Sequence, residues 1–409
     1  MSDPNPTAGI TDLTASARVT NAPQPAAAPH EVAATAATST APAVRPARGS
    51  GGLVLGIVGI VILGVLGLGV TGYLLLGLGV AAVAIGGIMA LIPLAIVFLG
   101  ARWVDRWEPE PRLAILFAFL WGAVMSVIIA LVVGSAVDPV IAAAARGDEF
   151  VYEFIGAAIQ APVVEETAKG LGVLILFWAA RRHFDGPVDG VVYAAWVAGG
   201  FAFTENILYF GSQLLDGSGV FQIFLIRGLM SPFAHVMFTA ATGLALGYAA
   251  RRTGALGAVG FFILGLIPAI FLHALWNGSL FFVTDFFGYY AVVQFPLFVG
   301  AVLLVVWLRR QETKLTYDRL SEYASAGWFH PDEVAALATP NGRRQAKAWA
   351  SRSGRAKEMR DYIRDATRLA FARQRIVTGR DRIGAQADEA ALLDAIVASR
   401  GRLTGSAVA

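Results

Sequence analysis

Residues 53–99 read LVLGIVGIVILGVLGLGVTGYLLLGLGVAAVAIGGIMALIPLAIVFL, and no Asp, Glu, Lys or Arg interrupts the chain between Arg48 and Arg102. The hydrocarbon core of a bilayer is about 30 Å thick and takes about 20 helical residues per crossing. The run is long enough for two crossings, expected at 53–71 and 75–99 with a turn near Gly72. Gly52 with Gly56, and Gly64 with Gly67, stand one helical turn apart and suit close contact between membrane helices.

Further apolar segments follow at 113–135, 154–180, 189–211, 228–250, 256–283 and 288–308. The expected fold is therefore all-α: a polytopic membrane bundle of about eight transmembrane helices. Composition agrees, since 56% of the 409 residues are hydrophobic and only 15% charged, against roughly a quarter charged in soluble domains. No cysteine is present, which excludes thiolate nucleophiles, cysteine metal sites and disulfides.

Three regions are expected. Residues 1–50, rich in Ala, Pro and Thr, read as a disordered cytoplasmic tail and not as a signal peptide. Residues 51–308 form the transmembrane domain, with a polar core at 150–283. Residues 309–409 form a basic, helical cytoplasmic tail, in which Met359, Tyr362, Ile363, Ala366, Leu369 and Ala370 share one helix face and Pro331-Asp332-Glu333 starts a helix. Residues 1–308 hold 13 Lys and Arg against 17 Asp and Glu, and 309–409 hold 19 against 12. The positive excess thus belongs to the C-terminal tail. A basic segment beside a membrane points to anionic lipid, and no nucleic-acid-binding motif accompanies it.

Orientation follows from the same charges. Arg45, Arg48, Arg102, Arg106, Arg112, Arg181, Arg182, Arg251, Arg252, Arg309 and Arg310 all fall in segments on one side of the expected spans, and the opposite loops hold only Arg146 and Arg227. Cytoplasmic loops are the arginine-rich ones. Both termini are expected in the cytoplasm.

Ionisable groups inside a membrane cost some 2.5–3.5 kcal/mol each on insertion scales, and usually line a cavity or pair with one another. Here they fall on four consecutive expected spans: Glu165, Glu166 and Lys169, then Glu205 with Asn206, then His235, then His273 with Asn277. Glu165, Glu205 and His235 each lie 16 residues from the cytoplasmic edge of their span, about 24 Å in. Lys169 lies one turn from both glutamates and can neutralise one of them. His273 and Asn277 share a face.

Two chemistries suit this set. A glutamate and a histidine around a trapped water can activate it for attack on a carbonyl, while a second histidine with an asparagine supports the oxyanion. Alternatively, Glu165, His235 and His273 can bind Zn²⁺ with one position left for water. Either route hydrolyses a peptide bond. A buried network that only holds helices together in a membrane scaffold, or an ion-coupled transporter, would use the same residue types. The His-Glu-x-x-His, Gly-x-Ser-Gly and Gly-x-Gly-Asp motifs of other intramembrane proteases are absent.

At "EETAK" (165–169), "FAFTEN" (201–206), "FAH" (233–235) and "HALWN" (273–277) the sequence resembles the PrsW family of intramembrane proteases, part of the broader group that includes the type II CAAX prenyl endopeptidases and the Abi proteins. The resemblance implies a protease of the bacterial cell membrane, classed with metallopeptidases, that cleaves a single-pass protein such as an anti-sigma factor near the extracytoplasmic face. It also implies that Glu165 and Glu166 are the paired glutamates and that His235 and His273 are catalytic or metal-ligating, with Asn277 in the closing motif. Glu205, Asn206 and Lys169 take supporting roles. Lys169 and Phe233 depart from the CAAX pattern, which argues against prenylated substrates.

Overall fold

The computed structural model describes residues 50–181, 183–254, 256–379 and 382–404. The expected disordered tail lies outside them. Among the described residues there is no strand, and they form two compact units, one of Val54–Arg310 and one from Gln311 onward.

The first unit is built from α1 (Ser50–Val104), α2 (Arg112–Ala145), α3 (149–179), α4 (Pro187–Asp216), α5 (Val220–Arg252), α6 (Gly257–Phe282) and the first part of α7 (Phe286–Ser325). All of these except α3 are long and apolar enough to cross a membrane, six helices among the described residues. The difference from the expected eight lies in two places. The two spans expected before Arg102 lie in the single element α1, and α3 carries Glu165, Glu166 and Lys169 within its run and falls short of that apolarity.

The turn within α1 is at Gly79, with φ 77° and ψ 163°, and not near Gly72. Val70 and Leu74 on either side of Gly72 are buried, so that stretch is held as packed helix. Gly79 has nothing within 4 Å of its missing Cβ and takes a positive φ at little cost. Before it, Gly59 faces Phe117 and Gly67 faces Val124; after it, Gly86 faces Ile207 while Gly199 faces Val97. The two halves therefore run in opposite senses against α2 and α4.

At the centre is α4. Its most apolar stretch is 78% buried, against 11–28% for the other five crossing helices. Small residues make this possible. A Cβ on Gly190 would lie 1.9 Å from Gly243 O on α5, one on Gly200 2.1 Å from Phe119 O on α2, and one on Gly122 1.8 Å from Val197 O. Backbones approach this closely only where side chains are missing. Trp121 fills the space above Gly172 and donates its Nε1–H to Ala168 O at 2.9 Å, fastening α2 to α3.

Wide, π-helical turns interrupt α2 at Trp121–Ser126, α3 at Ile155–Gln160, α5 at Phe224–Met230 and α7 at Tyr290–Gln294. Such turns insert an extra residue and rotate the side chains beyond them. In α5 the wide turn ends in a break at Ser231–Phe233, and a new helical stretch begins at Ala234. His235 thus sits in a first turn beside Pro232.

The second unit has its own core. It comprises the end of α7 with α8 (Pro331–Ala338), α9 (Pro340–Arg352), α10 (Ala356–Val377) and α11 (Arg382–Thr404). The α10 face expected from spacing is buried at all six positions, against Leu320, Leu337 and Ile396. His330 caps α8, and Glu333 reaches back to His330 N at 2.8 Å, a reciprocal cap that satisfies both ends of the first turn.

Candidate active site

Glu166 and Lys169 on α3 are fully buried. Lys169 Nζ lies 2.6 Å from Glu166 Oε1 and 3.6 Å from Glu165 Oε2. It also sits 3.2 Å from His235 Nδ1 and 4.3 Å from the centre of the Phe201 ring. An ammonium only donates, so His235 Nδ1 is the acceptor and the imidazole proton is on Nε2. That nitrogen donates to Glu205 Oε2 on α4 at 2.8 Å.

His273 on α6 is fixed the other way round. Its Nδ1 lies 3.0 Å from Glu166 Oε1 and donates to it, leaving Nε2 with a free lone pair 3.9 Å from Glu165 Oε2. Glu166 Oε2 accepts from Thr239 Oγ1 at 2.8 Å. Glu166 therefore receives three donors, from Lys169, His273 and Thr239, and is a carboxylate committed to holding others in place. The two imidazoles face each other edge to face with centroids 5.0 Å apart, and Phe238 stacks on His273 at 5.0 Å.

Glu165 differs from Glu166. Its Oε2 is buried and accepts no hydrogen bond from the described residues, a condition that costs free energy unless a water, proton or ion compensates it. Glu165, His235 and His273 each offer a ligand atom, and these atoms lie within 4.8 Å of one another. Nitrogen and oxygen donors of this kind suit a divalent transition metal. The orphaned Glu165 oxygen and the free Nε2 of His273 fit such an ion, and each histidine donates its other N–H to a carboxylate, as ligating histidines usually do; His235 would ligate through Nδ1, which here accepts from Lys169, so the ammonium would have to turn away.

Two residues of this site were not foreseen. Arg227, in the wide turn of α5, places Nη2 2.5 Å from Glu205 Oε2 and Nε 3.1 Å from Asn206 Oδ1, with its guanidinium 4.0 Å from the Tyr209 ring centre. The available signal was its being an exception to the arginine asymmetry. Thr239 was also missed, although it stands one turn after His235 and so shares its face. Asn277 is directed elsewhere: its Nδ2 donates to Ala157 O at 2.9 Å, tying α6 to the wide turn of α3.

A cavity of about 300 Å³ opens beside these groups. Glu165 and Glu205 line it together with Gln160, Phe201, Tyr209 and Ser212, and α2 supplies an apolar wall.

Residues 110–314, which contain every residue of this site, match the family described as PrsW family intramembrane metalloprotease. The chain is similar to the Protease PrsW of Clostridioides difficile (strain 630), with 32% identity over 38% of the chain and 62% of that relative. It is also similar to the Protease PrsW of Geobacillus kaustophilus (strain HTA426), 28% identical over 53% of the chain and 85% of the relative. That of Bacillus subtilis (strain 168) is 33% identical over 31% of the chain and 53% of the relative. No solved structure matches the chain. With the family match covering half of its length, the chain belongs to the PrsW family of intramembrane metalloproteases.

Proposed function

We propose that this protein hydrolyses a peptide bond of a membrane-anchored protein, with Glu165 as the proton acceptor for the attacking water. The observation that carries this reading is the buried Glu165 Oε2, which has no hydrogen bond and lies in one cluster with His235 and His273 at the edge of a cavity. Buried carboxylates are costly and are kept where they act.

In this reading a water in the cavity gives its proton to Glu165 as its oxygen attacks the scissile carbonyl carbon. The carbon–nitrogen bond then breaks, and the proton passes from Glu165 to the leaving amine. Glu166, braced by Lys169 and Thr239, keeps the His273 ring turned so that Nε2 faces Glu165. Glu205, braced by Arg227, fixes the His235 ring by accepting from its Nε2. A metal held by Glu165, His235 and His273, for which zinc is the best-suited ion, would acidify the water and polarise the carbonyl. The oxyanion role expected for Asn277 would require its amide to leave Ala157 O.

The substrate class is a single-pass membrane protein, with an anti-sigma factor as the first candidate. The arginine-rich segments support a reading with both termini in the cytoplasm and the cavity's outer end toward the extracytoplasmic face. The basic tail would meet anionic lipid there on the cytoplasmic side. The test is cleavage of a panel of single-pass substrates by purified protein beside Glu165→Ala, His235→Ala and His273→Ala, with and without chelator. Loss of cleavage in all three variants is expected, together with chelator inhibition that zinc reverses. Undiminished proteolysis by the Glu165→Ala/Glu166→Ala double variant would overturn the reading.

A further inference from the structure

The cavity beside Glu165 has a shape that restricts what can enter it. On α4 it runs from Phe201 to Ser212, a helical rise of about 16 Å. On α3 it runs the opposite way, from Glu165 to Gln160. One end therefore lies at the carboxylate layer, and the other is marked by Gln160 and Ser212. A volume of about 300 Å³ spread over that length is too narrow for a helix, which is 10–12 Å across with its side chains. It matches a single extended strand, since at about 3.3 Å per residue some five residues cover it.

The lining is divided in the way such a strand requires. Gln160, Tyr209 and Ser212 all reach the cavity, yet none of their side-chain polar atoms makes a hydrogen bond within the described residues. An extended segment leaves its own N–H and C=O groups unpaired, and within a membrane these must find partners. The opposite wall is apolar, formed by Val127, Ala130 and Leu131 on α2 with Ala161 and Leu208. The small residues Ala130 and Ala161 leave the space that larger side chains would occupy.

We propose that this cavity is a docking channel for one extended substrate segment, whose main chain is held by Gln160, Tyr209 and Ser212 and whose side chains are limited in size by Ala130 and Ala161. The proposal rests on the protease reading and deepens it: the substrate class is one whose cleavage segment is unwound, with small or medium apolar residues facing α2. Transmembrane segments that stay helical to the cleavage point are excluded by width. The end at Gln160 and Ser212 is the entrance.

The absence of cysteine from the chain allows a test that needs no substrate. In full-length protein, Ala130→Cys, Leu208→Cys and Ser212→Cys are compared with Val132→Cys, whose native side chain is 62% exposed on the outer surface of the same α2 helix. Cells are treated with a membrane-impermeant thiol reagent. The channel predicts labelling at least tenfold faster at 130, 208 and 212 than at 132. Equal, slow labelling at 130 and 132 would overturn it.

A second measurement addresses size selection. Single-pass reporters carry an extended segment with Ala, Val or Leu at the cleavage position. Ala130→Leu is expected to raise KM at least tenfold for the Leu reporter and less than threefold for the Ala reporter. Gln160→Ala is expected to raise KM for all reporters with little change in kcat. An Ala130→Leu variant that cleaves all three like the wild type would refute the size limit. Labelling as predicted combined with proteolysis insensitive to Glu165→Ala would instead defeat the catalytic reading and leave the channel standing.

Discussion

Removing Arg227 should uncouple His235 from its carboxylate. The Arg227 guanidinium gives Glu205 its shortest contact, 2.5 Å, while Glu205 Oε2 also holds His235 Nε2 at 2.8 Å. Arg227→Met leaves a carboxylate that is only 15% exposed without its charge partner. Breaking such a pair from one side costs about 3–5 kcal/mol when fully buried. Partial exposure and the surviving His235 bond place this case near about 3 kcal/mol. Glu205→Gln alone should also destabilise, because the amide cannot match the guanidinium. The double variant should lose less than the sum, with a coupling of about 1.5–3 kcal/mol. Denaturant titration in detergent, followed by tryptophan fluorescence, reads the four free energies. Proteolysis on the same samples should show kcat lowered by about 10- to 100-fold with KM little changed, the size expected when a residue that orients a functional histidine is lost. Arg227→Lys keeps the charge but not the second bond to Asn206, and should recover only part of the rate. Additivity of the two single variants within about 0.5 kcal/mol, or a KM effect without a kcat effect, would refute the positioning role.

Other perturbations follow from the same geometry. Gly190→Ala would put a Cβ 1.9 Å from Gly243 O and should destabilise the unit by at least about 1–3 kcal/mol, whereas Gly64→Ala, with nothing within 4 Å, should be close to neutral in the same thermal assay. Thr239→Val removes the hydroxyl that holds Glu166; hydrogen bonds to charged groups are worth about 1.5–3 kcal/mol, and the loss should appear as a slower kcat with unchanged chelator sensitivity. Burial pushes the Asp105 carboxyl up to about 6, against the opposing bond from Glu110 N and the nearby Arg102. A carboxyl raised in the folded state takes up a proton on folding, so its penalty is absent near pH 4, grows toward pH 6 and stays constant above. Asp105→Asn should therefore raise the melting temperature above pH 6, with the gain fading toward pH 4; a gain independent of pH would count against a buried charge there.

Much of the site was legible because lipid makes ionisable residues expensive. Glu165, Glu166, Lys169, Glu205, His235 and His273 stand out in their apolar surroundings, and counting residues from the arginine-rich edges placed them in one layer. The structure brings all six into one network. Arg227 escaped because residue counting assumes regular helices. The wide turn at Phe224–Met230 and the break after it are set by tertiary packing, and they turn an arginine that counts as a loop residue onto Glu205. The position of the first turn escaped for a different reason. Gly67, Gly69, Gly72, Gly77 and Gly79 can all adopt a positive φ, and packing at Val70 and Leu74 decides among them. For Asn277, helical spacing put it on the face of His273, but spacing alone does not show that the neighbour across that face is the Ala157 carbonyl.

The charges of the layer explain why a lysine belongs in it. Glu166 and Glu205 are each matched by a cation on a short bond, Lys169 at 2.6 Å and Arg227 at 2.5 Å. Each matched carboxylate holds one imidazole through a single nitrogen. With both histidines neutral, the three glutamates exceed the two cations by one negative charge. Lys169 Nζ is a full ångström farther from Glu165 than from Glu166, so the excess resides on Glu165, where an oxygen has no hydrogen bond. A proton or a metal cation relieves that excess, and Glu165 is the side chain whose charge changes in doing so. An all-structural network would have spent its third carboxylate on a donor as well.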